Sequence, residues 1–163
     1  MKKILIAEDD KKIGAALEIR LKAVGYEVLV LSDGFRSYMR SMTEQPDLIL
    51  MDIFLPIGSG LAVVQELRGA GLADIPIIFM TASKLKNLRA RAEMLNAAGF
   101  FEKPFDMEKM LATISRVLQS KPSTTVTRPS ASAAPNEKSQ NEKQNEKNTN
   151  YRRRSENRIG SAS

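Results

Sequence analysis

Five short apolar runs alternate with five helical patterns over residues 1–120, and this alternation constrains the fold more than any other feature. The runs predict strands at Lys3–Ala7, Glu27–Leu31, Leu48–Met51, Ile77–Met80 and Phe100–Phe101. Short, nearly continuous apolar runs are typical of parallel strands that are covered on both faces. The strict alternation of strand and helix therefore predicts a doubly wound α/β domain.

Two of the predicted helices carry recognisable end signals. The first has apolar residues at helical spacing from Ile13 to Val24 and is expected to end near Gly25, because glycine commonly follows a helix C-terminus. The last has the clearest helical period in the chain and follows Asp106, which we predict to be its N-cap. Asp10 is likewise better placed to cap the first helix than to bind a ligand.

The chain changes character after Lys121. Bulky apolar residues become rare, Pro alternates with Ser, Thr and Ala, and Asn-Glu-Lys occurs three times before the run at 152–154, Arg-Arg-Arg. Such a composition buries too little apolar area to offset chain entropy. We therefore predict a folded domain at residues 1–120 and a disordered, basic, low-complexity tail at 121–163. The tail holds 9 Lys/Arg against 4 Asp/Glu, which is most of the net charge of +6.

Absent residue types exclude several kinds of site. The sequence contains no cysteine and no histidine, so disulfides are excluded and a zinc site is not expected. Any nucleophile or base must then be Asp, Glu, Lys, Ser, Thr or Tyr. The chain has no apolar run of membrane-spanning length and no signal-peptide pattern at its N-terminus, so we expect a soluble cytoplasmic protein without a membrane role.

Polar residues follow the apolar runs at the points where the strands should end. Glu8 and Asp9 follow the first strand, Asp52 the third, Thr81 the fourth and Lys103 the fifth. Ligands of open parallel sheets bind beyond the carboxyl ends of the strands, and a strand order of 2-1-3-4-5 would bring these residues to one crevice. Crowded carboxylates repel one another, and a Mg²⁺ ion relieves that repulsion. Asp52 is then a plausible nucleophile toward a phosphoryl group.

Taken in order, these motifs resemble the receiver domain of two-component response regulators, over roughly residues 1–120. The segments that carry the resemblance are ILIAEDD, LILMDIFLP, IIFMTA and FFEKPF. Pro56 and Gly60 also fall where the family has a loop proline and a glycine. The resemblance implies a flavodoxin-like, five-stranded parallel sheet of order 2-1-3-4-5, and a cis peptide bond between Lys103 and Pro104.

The resemblance also implies a role for each residue of the crevice. Asp52 would be the phosphoacceptor, and Thr81 and Lys103 would contact the phosphoryl group. Phe100 would be the aromatic switch, although it lacks the hydroxyl that many receivers have at this position. Mg²⁺ would be the cofactor, and its ligands would be Glu8, Asp9, Asp52 and the backbone carbonyl of Phe54.

By the same resemblance, the protein would take a phosphoryl group from a sensor histidine kinase or a phosphotransfer protein and so switch the binding of a downstream partner. It would not be an enzyme beyond self-phosphorylation and slow self-dephosphorylation. We expect a stand-alone, chemotaxis-receiver-like protein that is monomeric or dimerises on phosphorylation. Ala98-Gly99 replaces an acidic pair found in one large transcription-factor subfamily, which argues against that subfamily's salt-bridged dimer.

Other functions share parts of this pattern. Haloacid-dehalogenase-like phosphatases also use a strand-end aspartate, but they need a second aspartate two residues later, where this chain has Phe54. A receiver that acts as an interaction module without phosphorylation stays open. The tail is either functionally quiet or, through Arg152, Arg153, Arg154 and Arg158, a non-sequence-specific contact for nucleic acid or an acidic partner.

Overall fold

The computed structural model describes residues 1–120, in which five strands and five helices alternate. The strands are β1 (Lys3–Ala7), β2 (Glu27–Leu31), β3 (Leu48–Asp52), β4 (Ile77–Thr81) and β5 (Gly99–Glu102). The helices are α1 (Lys11–Ala23), α2 (Gly34–Glu44), α3 (Gly60–Gly69), α4 (Leu88–Met94) and α5 (Met107–Gln119). The tail at 121–163 lies outside the described residues, so its disorder and the domain boundary stay predictions.

All five strands are parallel and form one sheet in the order β2-β1-β3-β4-β5. The predicted doubly wound, flavodoxin-like fold is confirmed. The chain order reverses between β1 and β3, where Ala7 pairs with Met51. Crevices at such a reversal are where open α/β sheets bind their ligands.

Three strands are longer than the sequence pattern predicted. β3 includes Asp52 and β4 includes Thr81, because the hydrogen-bond ladder continues past the apolar run: Ile53 N–H donates to Met80 O at 3.0 Å, and Lys103 N–H donates to Thr81 O at 2.7 Å. β5 gains one residue at each end. Asp52 and Thr81 are therefore the last residues of β3 and β4, and the sheet hydrogen bonds fix their backbones more firmly than a loop would.

Apolar residues fill both faces of the sheet. Alternate strand residues pack with α1 and α5 in one cluster, which contains Ile4, Ile6, Leu17, Leu21, Leu48, Leu50, Ile78, Met80, Met110, Ile114, Val117 and Leu118. The intervening residues Leu5, Ile49, Met51 and Phe79 point to the opposite face by strand periodicity and are also fully buried. β3 and β4 are buried along their whole lengths, as expected for central parallel strands.

The helix ends largely follow the sequence signals. Asp10 accepts from Lys12 N–H and Ile13 N–H, and Asp106 accepts from Glu108 N–H and Lys109 N–H, so both predicted N-caps are confirmed. α1 ends at Ala23, close to the predicted position. The longest helices have 13 residues, and none of those in residues 1–120 is long and apolar enough to cross a membrane.

Candidate functional site

Three carboxylates meet at the carboxyl ends of β1 and β3. Glu8 and Asp9 follow β1 directly, and Asp52 is the last residue of β3. One carboxylate oxygen from each residue lies within 4.8 Å of the others. Glu8 and Asp52 are buried, whereas Asp9 is exposed. The cluster thus has a buried inner wall and an open side through which an ion or a phosphoryl group could enter.

Lys103 joins the two buried carboxylates. Its ammonium nitrogen lies 2.8 Å from Glu8 Oε1 and 2.7 Å from Glu8 Oε2, and it also contacts Asp52 Oδ2. All three side chains are shielded from solvent. One positive charge therefore faces three negative charges, and the site keeps a net negative charge that favours a cation.

Burial and the ion pair act in opposite directions on these groups. Burial raises the pKa of Glu8 above its ordinary value, and the Lys103 ammonium offsets only part of that rise. Burial alone would lower the pKa of Lys103, but hydrogen bonds and charges from Asp52 and Glu8 outweigh it, so this pKa is raised. Lys103 is therefore a fixed cation across the physiological pH range.

The backbone on either side of Asp52 is closely packed. Phe54 N–H donates to Asp52 Oδ1 at 2.9 Å, which orients the carboxylate from the loop side. Gly60, the first residue of α3, lies so close to the Asp52 carbonyl oxygen that a Cβ atom there would collide with it. Asp52 is thus held by a strand, a loop amide and a helix start, and its carboxylate has little freedom to move.

Thr81 ends β4 beside Asp52, since β3 and β4 are neighbours and Asp52 pairs with Met80. The Thr81 side chain is fully buried, and its hydroxyl oxygen accepts a hydrogen bond from Ser83 N–H at 3.1 Å. This hydroxyl lies at the same sheet edge as the carboxylates. It also connects that edge to the segment that leads into α4.

Phe100 lies in β5, next to Phe79 in the ladder, and is half-buried. The guanidinium carbon of Arg89, in α4, lies 4.6 Å from the centre of the Phe100 ring. A cation over an aromatic face is attractive. The Phe100 ring, which has no hydroxyl, thus makes a cation–π contact with Arg89.

The structure brings together the residues that the sequence singled out at the strand ends: Glu8, Asp9, Asp52, Thr81 and Lys103. The Lys103–Pro104 peptide bond is cis, as predicted. Three hard oxygen donors with an open side suit Mg²⁺, which prefers a few carboxylates and completes its shell with water. Sequence reasoning missed the Phe54 amide contact and the Arg89 contact, because neither leaves a mark in residue spacing.

Comparison with known proteins agrees with this geometry. The family model described as the response regulator receiver domain matches residues 4–115. The chain belongs to the response regulator receiver domain family. The confirmed sheet order and the acidic cluster now have a common explanation, because they belong to one signalling domain rather than to a conventional enzyme.

Two curated transcriptional regulators are similar to this chain. The DNA-binding dual master transcriptional regulator RpaA of Synechocystis is 36% identical over 120 residues, which cover 73% of this chain and 50% of RpaA. The transcriptional regulatory protein PhoP of Bacillus subtilis is 33% identical over 118 residues, covering 72% of this chain and 48% of PhoP. The chain thus spans about half the length of these curated relatives.

A solved structure matches the receiver domain over nearly its full length. It is the BeF3-activated N-terminal receiver domain of Klebsiella pneumoniae RstA, with 27% identity and a TM-score of 0.67. The match covers 72% of this chain and 99% of that one.

Proposed function

We propose that Asp52 accepts a phosphoryl group from the phosphohistidine of a sensor histidine kinase or a phosphotransfer protein. One observation carries the proposal: the carboxylates of Glu8, Asp9 and Asp52 lie within 4.8 Å of one another, and the Lys103 ammonium contacts two of them. Membership in the receiver family supports the reaction class.

The Asp52 carboxylate suits the role of nucleophile. Its residue is 4% exposed, and its Oδ1 is already held by Phe54 N–H, so little freedom is lost on the way to the transition state. In the proposed step an Asp52 oxygen forms a bond to phosphorus while the phosphorus–nitrogen bond of the donor histidine breaks. The electron pair of that bond stays on the imidazole nitrogen.

The other residues of the site stabilise charge. Glu8, Asp9, Asp52 and the Phe54 carbonyl oxygen are the proposed ligands of Mg²⁺, which when bound neutralises negative charge on carboxylates and phosphoryl oxygens. Lys103 supplies a second positive charge at the buried inner wall. It is already beside Asp52, so its ammonium can donate to a phosphoryl oxygen with little movement.

Thr81 and Phe100 are the proposed route from the site to a partner. The Thr81 hydroxyl oxygen already accepts from Ser83 N–H, so donation of its proton to a phosphoryl oxygen would link the phosphoryl group to the segment at Ser83 and draw that segment toward the site. Ser83 lies in the segment before α4, and α4 carries the Arg89 guanidinium that covers Phe100. A shift of this segment would therefore change the surface around Phe100, where a downstream protein could read it.

Within this proposal the protein acts in the cytoplasm, where kinases obtain phosphoryl groups from ATP. It is not an enzyme in the conventional sense, since it turns over only its own phosphoryl group. The downstream partner is a protein of unspecified identity, and the receiver is a monomer or a phosphorylation-dependent dimer. Nucleic-acid contact through the basic tail stays a secondary prediction.

Phosphotransfer from a protein donor tests the proposal. Purified, ³²P-labelled sensor histidine kinase domains are mixed with the wild-type protein and with Asp52→Asn, in Mg²⁺ or in EDTA. We expect the label to move to the wild-type protein in Mg²⁺ only, and not to the variant. Asp10→Asn is the matched control, because Asp10 caps α1 and asparagine caps helices equally well. Equal labelling of wild type and Asp52→Asn would contradict the proposal and leave the phosphorylation-independent module.

A further inference from the structure

Ile57 combines an unfavourable backbone conformation with an exposed apolar side chain. Its φ angle is +51°, in the left-handed region that β-branched residues almost never occupy. Its side chain is 55% exposed, so burial does not compensate for the strain. Strained residues persist where the surrounding structure enforces them, and they concentrate at functional positions.

The strained residue lies in the β3–α3 loop, residues 53–59, beside the acidic site. Phe54 in the same loop is 52% exposed, and its amide donates to the carboxylate of Asp52. Leu55 between them is buried and anchors the loop to the core. The loop thus directs Ile53 and Leu55 inward and presents Phe54 and Ile57 to solvent, within five residues of Asp52.

The loop is held rigidly at both ends. Gly34 N–H donates to Pro56 O at 2.9 Å, and Gly60 N–H donates to Ile53 O at 2.9 Å. Gly34 also packs so closely that a Cβ atom there would collide with the carbonyl oxygens of Ile57 and Gly58. The left-handed turn at Ile57 is therefore a fixed feature of the fold, and its side chain is presented in one place.

We propose that Ile57, with Phe54, is a docking contact for the protein phosphodonor, and that the strain at Ile57 is retained for this contact. This inference rests on the proposed function. A protein that brings phosphorus to the Asp52 carboxylate must cover the loop whose amide binds that same carboxylate. Two exposed apolar side chains on a rigid loop fit apolar residues that flank the phosphohistidine, because a preorganised contact loses little entropy on binding. A small phosphodonor needs only the carboxylate site, so we expect its reaction to be independent of Ile57.

The test substitutes Ile57→Asn in the full chain. Asparagine tolerates the left-handed conformation and removes the apolar contact. The matched control is Val24→Asn: Val24 is also β-branched and 55% exposed, but it caps the far end of α1 and has φ −97°. Three quantities are measured: the melting temperature, the rate of phosphorylation by acetyl phosphate with Mg²⁺, and the rate of phosphotransfer from a panel of phosphorylated sensor histidine kinase domains.

For Ile57→Asn we expect a melting temperature higher by about 3 °C or more, because the strain is relieved. The rate with acetyl phosphate should stay within about twofold of wild type, while the rate with the best kinase domain should fall about tenfold or more. Val24→Asn should match wild type with both donors. A higher melting temperature together with slower phosphotransfer from the kinase domain is expected of a residue that is retained for recognition at a cost in stability.

Several results would overturn this inference. For Ile57→Asn they are an unchanged rate of phosphotransfer from the kinase domains, an equal loss of rate with both donors, or an unchanged melting temperature. For the wild-type protein, the contradicting result is phosphorylation by acetyl phosphate but by no kinase domain. A dimer that dissociates only in Ile57→Asn would make a second copy of this chain the occupant instead. If neither donor phosphorylates the wild-type protein, the proposed function itself fails, which is a distinct result.

Discussion

The Lys103 ammonium lies 2.7 Å from a carboxylate oxygen of Glu8, 95 positions away in the sequence, and both side chains are shielded from solvent. A buried charge is tolerated when it is paired, and removal of one partner leaves the other uncompensated. The same ammonium contacts Asp52, so Lys103 holds the inner wall of the site together.

Lys103→Met should lower the free energy of unfolding by about 3 kcal/mol near pH 8. Burial raises the pKa of Glu8, so ionised Glu8 costs stability as pH rises from its ordinary pKa through its raised folded pKa. Without the Lys103 ammonium, ionised Glu8 destabilises the fold more strongly, and this destabilisation disappears once Glu8 is protonated. The loss should therefore be clearly smaller at about pH 5, as measured by urea unfolding in EDTA.

Lys84→Met is the matched control for that experiment. Lys84 pairs with Glu102 at 2.9 Å, but both side chains are largely exposed. Exposed pairs contribute up to about 1 kcal/mol, and this loss should vary much less with pH. A Lys103→Met penalty that is equal at both pH values would show that the Glu8 charge does not respond to Lys103.

Mg²⁺ should raise the melting temperature of the wild-type protein, because only the folded state gathers the three carboxylates. At ten times the dissociation constant, mass action gives about 1.4 kcal/mol of added stability. Asp9→Ala should remove most of this gain, and the metal-free variant should be at least as stable as wild type because one repelling charge is gone. Asp10→Asn should respond to Mg²⁺ like wild type. A full Mg²⁺ response in Asp9→Ala would remove Asp9 from the ligand set.

Gly60→Ala should destabilise the fold by about 2 kcal/mol and slow phosphorylation, because the new Cβ atom would displace either α3 or the Asp52 backbone. Gly69→Ala, at the other end of the same helix, is the matched control. A Cβ atom there meets nothing within 4 Å, so this change should be neutral or stabilising. Thermal unfolding and acetyl phosphate labelling measure both effects. Equal behaviour of the two variants would contradict the close approach at Asp52.

The site could largely be predicted from the sequence because its topology is simple. Parallel strands end at one edge of a sheet, so Glu8, Asp52 and Thr81, each at or just after the end of an apolar run, had to lie on the same side. The caps Asp10 and Asp106 were predictable because capping depends on a few neighbouring residues. The capping preferences of single residues and one assumed strand order were sufficient to predict these features.

Other features depend on three-dimensional detail that spacing does not encode. The cation–π contact of Arg89 with Phe100 depends on where α4 lies against β5. The left-handed backbone at Ile57 contradicts the intrinsic preference of isoleucine, and it lies where the Ile57 carbonyl oxygen packs closely against Gly34. The extension of β3 through Asp52 depends on the hydrogen bond that Ile53 N–H donates to Met80 O in the neighbouring strand β4. Each of these features depends on a contact between residues of different elements.

Removal of the tail after Lys121 should leave the phosphorylation rate within about twofold of wild type, because every proposed site residue precedes residue 104. The change lowers the net charge from +6 to +2. If the tail binds a polyanion, binding of the full chain to DNA or RNA should weaken steeply with salt, and alanine at Arg152, Arg153 and Arg154 should reduce both affinity and salt slope. Binding absent at low salt would eliminate the nucleic-acid prediction.

The most direct test of the central claim is the position of the phosphoryl group. The protein is incubated with acetyl phosphate and Mg²⁺, the acyl phosphate is reduced with borohydride to homoserine, and the peptides are analysed by mass spectrometry. We expect homoserine at position 52 in the wild-type protein and no modified peptide from Asp52→Asn. Modification at another residue, or undiminished phosphate uptake by Asp52→Asn, would contradict the assignment of Asp52 as the phosphoacceptor.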